Sequence, residues 1–354
     1  MARTAIIFSP IYYQHNTGKR HPESAKRLHA IIKEINKAKL VNGETVQLIK
    51  PEKARLEEVE LVHGIEYIDL VEAVCRSSGG LLDLEDTVVS PESFNVALYA
   101  VGGTLKAIKL VIEGKFKNTF ALVRPPGHHA SEYCACGFCI FNNVAIGAEY
   151  LRRKYGLKRI LILDIDAHHG NGTQETFYKT PEVLYISLHQ DPTEFPGTGF
   201  VYEVGEGDAL GYTVNIPLPY GTRDRIYLKA MSEVVEPIVM QYNPQFTLVS
   251  AGLDGHYTDP VANLSLSASC YQRIYESIIR LTSETCDGRL VSVLEGGYSQ
   301  NFVGKIAVSI IARLSGTLYN VEDKAPVINK HVEKQGEKAL EDVKSVQKSF
   351  WEIK

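Results

Sequence analysis

Seven short apolar segments, near residues 4–8, 119–123, 159–164, 183–188, 212–216, 246–250 and 290–294, alternate with stretches of helical periodicity. The helical stretches are 23–38, 65–77, 93–113, 142–154, 224–241, 268–285 and 301–314. Parallel strands need crossovers of a dozen or more residues, which helices usually supply. The alternation therefore predicts an α/β fold in one domain, with a mostly parallel central sheet and helices on both faces. A chain of 354 residues can carry such a core, and no composition break or Gly/Ser linker divides residues 1–318. Residues 319–354 read differently. Beyond the loop Glu322-Asp323-Lys324-Ala325-Pro326, a charged segment places Leu340, Val343, Val346 and Phe350 near one helical face, with Trp351 nearby. That pattern predicts a C-terminal extension whose helix docks on the core or on another subunit of a homo-oligomer.

In open parallel sheets, function gathers at the carboxyl ends of the strands. Here Arg159-Ile160-Leu161-Ile162-Leu163 runs into Asp164-Ile165-Asp166-Ala167-His168-His169-Gly170. Side chains two residues apart on an extended segment project to one side, so this run presents half of a divalent-metal site. Taken alone, it reads equally as a solvated turn or a buried ion pair. Three more strand-like segments end the same way, in Arg124-Pro125-Pro126-Gly127-His128-His129, in Ser250-Ala251-Gly252-Leu253-Asp254 and in Glu295-Gly296-Gly297-Tyr298. Four such endings are difficult to reconcile with purely structural turns.

Composition closes off other classes. A formal charge of -4 gives no basic field of the kind that non-specific nucleic-acid binding needs. No apolar run is expected to approach the ~20 residues of a membrane span, and Met1-Ala2-Arg3-Thr4-Ala5-Ile6-Ile7-Phe8 reads as a first strand, so the expected compartment is cytoplasmic. Cys134-Ala135-Cys136-Gly137-Phe138-Cys139 has the look of a zinc knuckle. Cys75, Cys270 and Cys286 supply no second pair, so the six cysteines are read as reduced thiols.

Taken in order, seven motifs resemble the series of the histone deacetylase family. They are Arg124-Pro125-Pro126-Gly127-His128-His129-Ala130, Gly137-Phe138-Cys139-Ile140-Phe141-Asn142-Asn143, Asp164 to Gln174, Ser187-Leu188-His189, Phe195-Pro196-Gly197-Thr198-Gly199, Ser250 to Asp254, and Glu295 to Tyr298. His21-Pro22-Glu23-Ser24 belongs to the same pattern. The type is similar to the class II enzymes and to the bacterial and archaeal acetoin-utilisation and acetylpolyamine relatives, over about residues 10 to 315.

The resemblance implies an arginase/deacetylase-like fold and zinc-dependent hydrolysis of acetyl-lysine, on protein or peptide, to free amine and acetate. It assigns one Zn2+ per chain to Asp166, His168 and Asp254, a set that would also accept Fe(II) or Co(II). It gives proton handling to His128 and His129, with His129 as the base that serves the attacking water and then the leaving amine. Asp164 is expected to hydrogen-bond His128. Asn171 stands behind His129, where some members have Asp. Tyr298 is the expected oxyanion donor. Phe138, Phe195 and Gly137 match the acyl-lysine tunnel, and Asp86 a rim residue that fixes the substrate backbone. A K+ site is implied at Asp164, Ser187 and Leu188, with a second at Phe177, Thr180, Val183 and Tyr212.

Three alternatives stand beside this reading. A binuclear manganese ureohydrolase needs a further Asp two residues after His168, where Gly170 stands, and another two from Asp254. An inert acyl-lysine module would be expected to lack a ligand or Tyr298. An acetylpolyamine or other small acylated amine stays open as substrate. Val261, after Asp259-Pro260, is apolar where the polyamine-selective class II enzyme carries an acid, and so favours acetyl-lysine peptides.

Overall fold

A computed structural model describes residues 4–83, 85–324 and 327–354. Met1, Ala2 and Arg3 of the expected first strand, Leu84 of the rim segment, and Ala325 and Pro326 of the tail loop lie outside the described residues. The strands are β1 (Thr4–Ile7), β2 (Val46–Ile49), β3 (Gly80–Leu81), β4 (Val88–Val89), β5 (Asn118–Ala121), β6 (Ile160–Asp164), β7 (Val183–Gln190), β8 (Thr213–Leu218), β9 (Phe246–Ala251) and β10 (Leu290–Leu294). The helices are α1 (Lys26–Lys37), α2 (Leu56–Val59), α3 (Ile65–Arg76), α4 (Ser93–Ile112), α5 (Asn143–Tyr155), α6 (Asn171–Phe177), α7 (Asp224–Ala230), α8 (Glu236–Tyr242), α9 (Ala268–Thr285), α10 (Val303–Ser315) and α11 (Lys330–Gln347).

Eight strands form one sheet in the order β2-β1-β5-β10-β9-β6-β7-β8, every neighbouring pair parallel. The central strands are buried along their whole length, as β6 shows with Ile-Leu-Ile-Leu-Asp. Covered on both faces, such strands select continuous apolar runs over alternation, which is why they were legible. α4 packs with α3 and α5, and α10 packs with α1 and α9. These two groups of helices cover the sheet.

Several expectations are corrected. β2 is an eighth strand, four residues long and half exposed at the sheet edge, too short to show a period. β3 and β4 form a two-residue antiparallel hairpin. The single helix expected over 224–241 is interrupted by a π turn at Met231–Val235, just before Pro237, whose ring cannot follow a regular turn. α4 is, by length and composition, apolar enough to cross a membrane, contrary to the expectation that no run is; 72% of its most apolar window is buried inside the fold.

The tail helix α11 lies on β8 and α7 of its own chain. Leu340 and Val343 are buried in the core. Phe350 is 38% exposed and Val346 only partly covered, because the helix ends at Gln347 and helical spacing does not extend to Phe350. Lys344 and Gln347 complete the buried stripe instead.

Candidate active site

β5, β10, β9 and β6 are consecutive neighbours, so the loops at their carboxyl ends meet. The loops after β5 and β6 each bring two polar groups, His128 with His129 and Asp166 with His168, and those after β9 and β10 bring Asp254 and Tyr298. His168 Nδ1 stands 3.0 Å from Asp254 Oδ2 and 3.4 Å from Asp166 Oδ1. One donor atom from each of the three buried residues lies within 4.8 Å of the others. The second oxygens are tied to backbone amides: Gly296 N donates to Asp166 Oδ2 at 2.8 Å and Ala167 N to Asp254 Oδ1 at 2.9 Å. A Cβ at Gly296 would stand 2.6 Å from Asp166 Oδ2, so only glycine allows that approach. Burial beside Asp166 pushes the Asp254 carboxyl up to about 7. Burial opposes charging of His168, yet hydrogen bonds to Asp166 and Asp254 push it up to about 10. Two buried carboxylates this close call for positive charge between them, and the two-oxygen, one-nitrogen donor set fits a divalent ion.

The adjacent imidazoles are differentiated by their partners. His128 Nδ1 is 3.0 Å from Asp164 Oδ2, which also accepts from Tyr185 OH at 3.2 Å. His129 Nδ1 faces Asn171 Oδ1 at 2.7 Å. Burial opposes charging of His128, but Asp164 and Asp166 raise it to about 10. Burial, with His128 and His168 alongside, holds His129 well below its ordinary value. One ring is set up to carry charge and its neighbour to remain neutral.

A cavity of about 370 Å³ leads down to these groups. Phe138, Phe195, Asp86, Val261, His129 and Tyr298 are among its lining residues. Phe195 packs edge-on to His129 and His168, with centroids at 5.0 and 5.9 Å, and Phe138 edge-on to Tyr298 at 5.7 Å. Gly137, at φ +52°, lies where a Cβ would come within 2.5 Å of the His129 ring. Asp86 Oδ1 at the mouth is buried without a hydrogen-bond partner.

Some of the residues expected around monovalent cations are direct neighbours. Asp164 and Ser187 are register partners on β6 and β7, with Leu188 next to Ser187. In the second group, Thr180 N donates to Phe177 O at 3.2 Å and Tyr185 N to Tyr212 O at 3.0 Å, beside Val183 at the head of β7. All six cysteines are free thiols, and Cys139 lies with His128 and Glu295 in a buried group beneath the site.

With this geometry in place, comparison with known proteins identifies the family. A profile described as histone deacetylase domain matches residues 21–314. The chain belongs to the histone deacetylase family. A probable deacetylase of Archaeoglobus fulgidus is 41% identical over 98% of each chain. A histone deacetylase-like amidohydrolase of Pseudomonas aeruginosa is 34% identical over 85% of this chain and 78% of its own. Among solved structures, the HDA15 HD domain superposes with a TM-score of 0.88 at 33% identity, over 99% of this chain and 95% of that one. The protein is thus a histone deacetylase-family hydrolase acting on amides.

The sequence motifs contain Glu23, Glu295 and Asp259 but gave no supporting role to them or to Arg27, and these groups hold this deacetylase-type site in place. Arg27 donates through Nε to Gly297 O at 2.7 Å and through its terminal nitrogen to Glu295 O, and its guanidinium lies 4.8 Å over the Tyr298 ring. Glu23 joins Arg27 at 3.1 Å and Arg124 at 2.7 Å, all three fully buried. Glu295 Oε2 accepts from Gly127 N and His128 N, and Asp259 Oδ2 accepts from Tyr298 N at 2.6 Å. The available signal was the i,i+4 spacing of Glu23 and Arg27. That spacing ordinarily marks a solvated helix pair.

Proposed function

We propose that this protein is a zinc-dependent deacetylase that hydrolyses the acyl amide of acetyl-lysine in proteins or peptides. The observation that carries the reading is the meeting of Asp166, His168 and Asp254 with the His128–His129 pair and Tyr298 at the base of one aromatic-walled cavity. Held by Asp166, His168 and Asp254, a divalent ion such as zinc would supply Lewis-acid polarisation of the acyl carbonyl and acidify a water. His129, kept neutral and oriented by Asn171, takes the proton of the attacking water and returns it to the leaving amine. His128, paired with Asp164, stabilises the negative charge that develops. The Tyr298 hydroxyl donates to the oxyanion, from a loop anchored by Asp259 and Arg27. Phe138 and Phe195 exclude water around the acyl-lysine stem, and Asp86, with a free acceptor oxygen at the mouth, holds the substrate backbone. Potassium at Asp164, Ser187 and Leu188 would brace the strand ends, with a weaker site at Phe177, Thr180, Val183 and Tyr212. A cytoplasmic setting fits the free thiols.

A second reading, an acetylpolyamine or other small acylated amine, is favoured by one feature. Glu85, Asp86 and Glu194 line the mouth, and among the described residues no Lys or Arg lines the cavity with them. Val261 beside them offers only apolar contact, which supports the peptide reading. Purified enzyme, assayed with and without chelator on acetyl-lysine peptides and acetylpolyamines, tests both. Expected are loss of turnover with chelator, rescue by zinc or cobalt, and hydrolysis of acetyl-lysine peptides. Two manganese ions per chain would reject the mechanism, and a kcat/KM about a hundredfold higher for acetylpolyamines would reject the peptide substrate.

A further inference from the structure

Asp323 lies in the segment after α10, beyond the residues that match the family profile. Its Oδ2 accepts from Ala268 N at 2.7 Å and faces His256 Nε2 at 3.1 Å. A carboxylate can only accept, so in the neutral ring Nε2 carries the proton and Nδ1 is left as acceptor. Thr258 Oγ1 sits 2.9 Å from that Nδ1, and its hydroxyl must therefore donate to it. The remaining lone pairs of Thr258 are open to the Ser299 hydroxyl, 2.6 Å away. Ser299 directly follows Tyr298, and the amides of both residues share Asp259 Oδ2, at 3.0 and 2.6 Å. The His256 ring is fully buried and stacked on Phe302, with centroids 4.4 Å apart and planes at 27°, so it cannot swivel out of this chain of bonds.

Tyr298 follows Gly296 and Gly297, the latter at φ +117°. Such a backbone does not by itself define where the Tyr298 ring points. We infer that Asp323 is a positioning residue for the Tyr298 hydroxyl, acting through His256, Thr258 and Ser299; the inference rests on the role proposed above for Tyr298. Asp259 and Arg27 hold the loop from one side, and the relay from the tail segment holds Ser299 from the other. The segment after α10 is in this way coupled to the reacting centre, not merely attached to the fold.

A purely structural role for Asp323 would be confined to its bond with Ala268 at the start of α9. Thr258 separates the two roles, because it is exposed and Thr258→Val removes the relay hydroxyl without touching the Asp323–Ala268 bond. The full-length, zinc-reconstituted enzyme is assayed on an acetyl-lysine peptide as Asp323→Ala, Thr258→Val, their double mutant, Thr258→Ser and Tyr298→Phe. Removing a group that orients a reacting side chain typically costs about 10- to 100-fold. Asp323→Ala and Thr258→Val are each expected to lower kcat about 10-fold with KM and bound zinc unchanged. Thr258→Ser should restore kcat, and the double mutant should fall no further than the worse single one. Wild-type kcat in Thr258→Val, or multiplicative losses in the double mutant, overturns the inference whatever the melting temperatures are. If Tyr298→Phe is inactive while Thr258→Val is fully active, the inference alone fails. If Tyr298→Phe turns over like the wild type, the catalytic reading fails and the inference falls with it.

Discussion

The floor of the site and the docked tail both use charged side chains, in opposite ways. Beneath Tyr298, Glu23, Arg27 and Arg124 are fully buried and each is joined to at least one other charge or carbonyl. Across α11, Glu333 and Glu337 pair with Arg225 of α7, whose side chain is largely open to water, and Lys344, itself mostly covered, pairs with the partly exposed Glu233. A buried charge that loses its partner keeps its desolvation cost, whereas an exposed one is rescued by water. The site floor is therefore rigid and intolerant. The tail is held by Leu340 and Val343, with its ion pairs as accessories.

The largest test of that contrast is Glu23→Gln. It leaves the Arg27 and Arg124 guanidinium groups buried without their carboxylate, and breaking a buried pair costs about 3–5 kcal/mol. Chemical denaturation should show a loss of that size, and a loss below about 1 kcal/mol would place this network in the same class as the surface pairs. Next in size is Tyr298→Phe, which removes one hydroxyl from the cavity. Loss of one oxyanion donor costs about 10² to 10³ in kcat, with little change in stability, so steady-state kinetics set against melting curves separates chemistry from packing.

Acid should unfold the site half before the tail pairs matter. Burial holds His63 and His189 down at about 4, so below the ordinary histidine value of 6.5 the unfolded chain binds protons that the folded chain refuses. Their contribution is fully present above 6.5 and is lost as pH falls towards 4. Burial works against ionised Glu23, but Arg124, His15 and Arg27 hold its carboxyl down at about 2, and that contribution is lost between its ordinary 4.5 and about 2. The melting temperature should therefore fall progressively as pH is lowered from 6.5; a flat profile down to pH 4 would contradict the neutral buried histidines. The smallest effect is expected for Arg225→Ala, since exposed pairs are worth about 0.2–1 kcal/mol each. Denaturation midpoints at low and high salt check it, and a loss of several kcal/mol would make the tail pairs structural anchors.

Legibility followed burial. The central strands β5, β6, β9 and β10 were readable because a strand covered on both faces must be apolar throughout. β2 and the β3–β4 hairpin were not, since two to four residues at an edge carry no period. α6, Asn-Gly-Thr-Gln-Glu-Thr-Phe, opens polar and with a glycine, and its helical state is decided by its surroundings. Within the site, Asp166 and His168 advertised themselves by their spacing on one segment. Asp259 and Arg27 did not, because a carboxylate receiving backbone amides and a guanidinium donating to carbonyls leave no pattern in neighbouring residues.

The amino-acid order alone determined the buried strands, the long helices and which polar groups stand at strand ends, because burial on a regular backbone imposes a pattern that can be read locally. It did not determine that β5, β10, β9 and β6 are adjacent, and that adjacency is what carries His128, Tyr298, Asp254 and Asp166 to one point. Nor could it show Arg27 reaching Gly297, or Asp323 reaching His256, 270 and 67 residues apart in the chain. Such bonds depend on how separate elements pack, and packing is a property of the whole core that no local stretch of residues records.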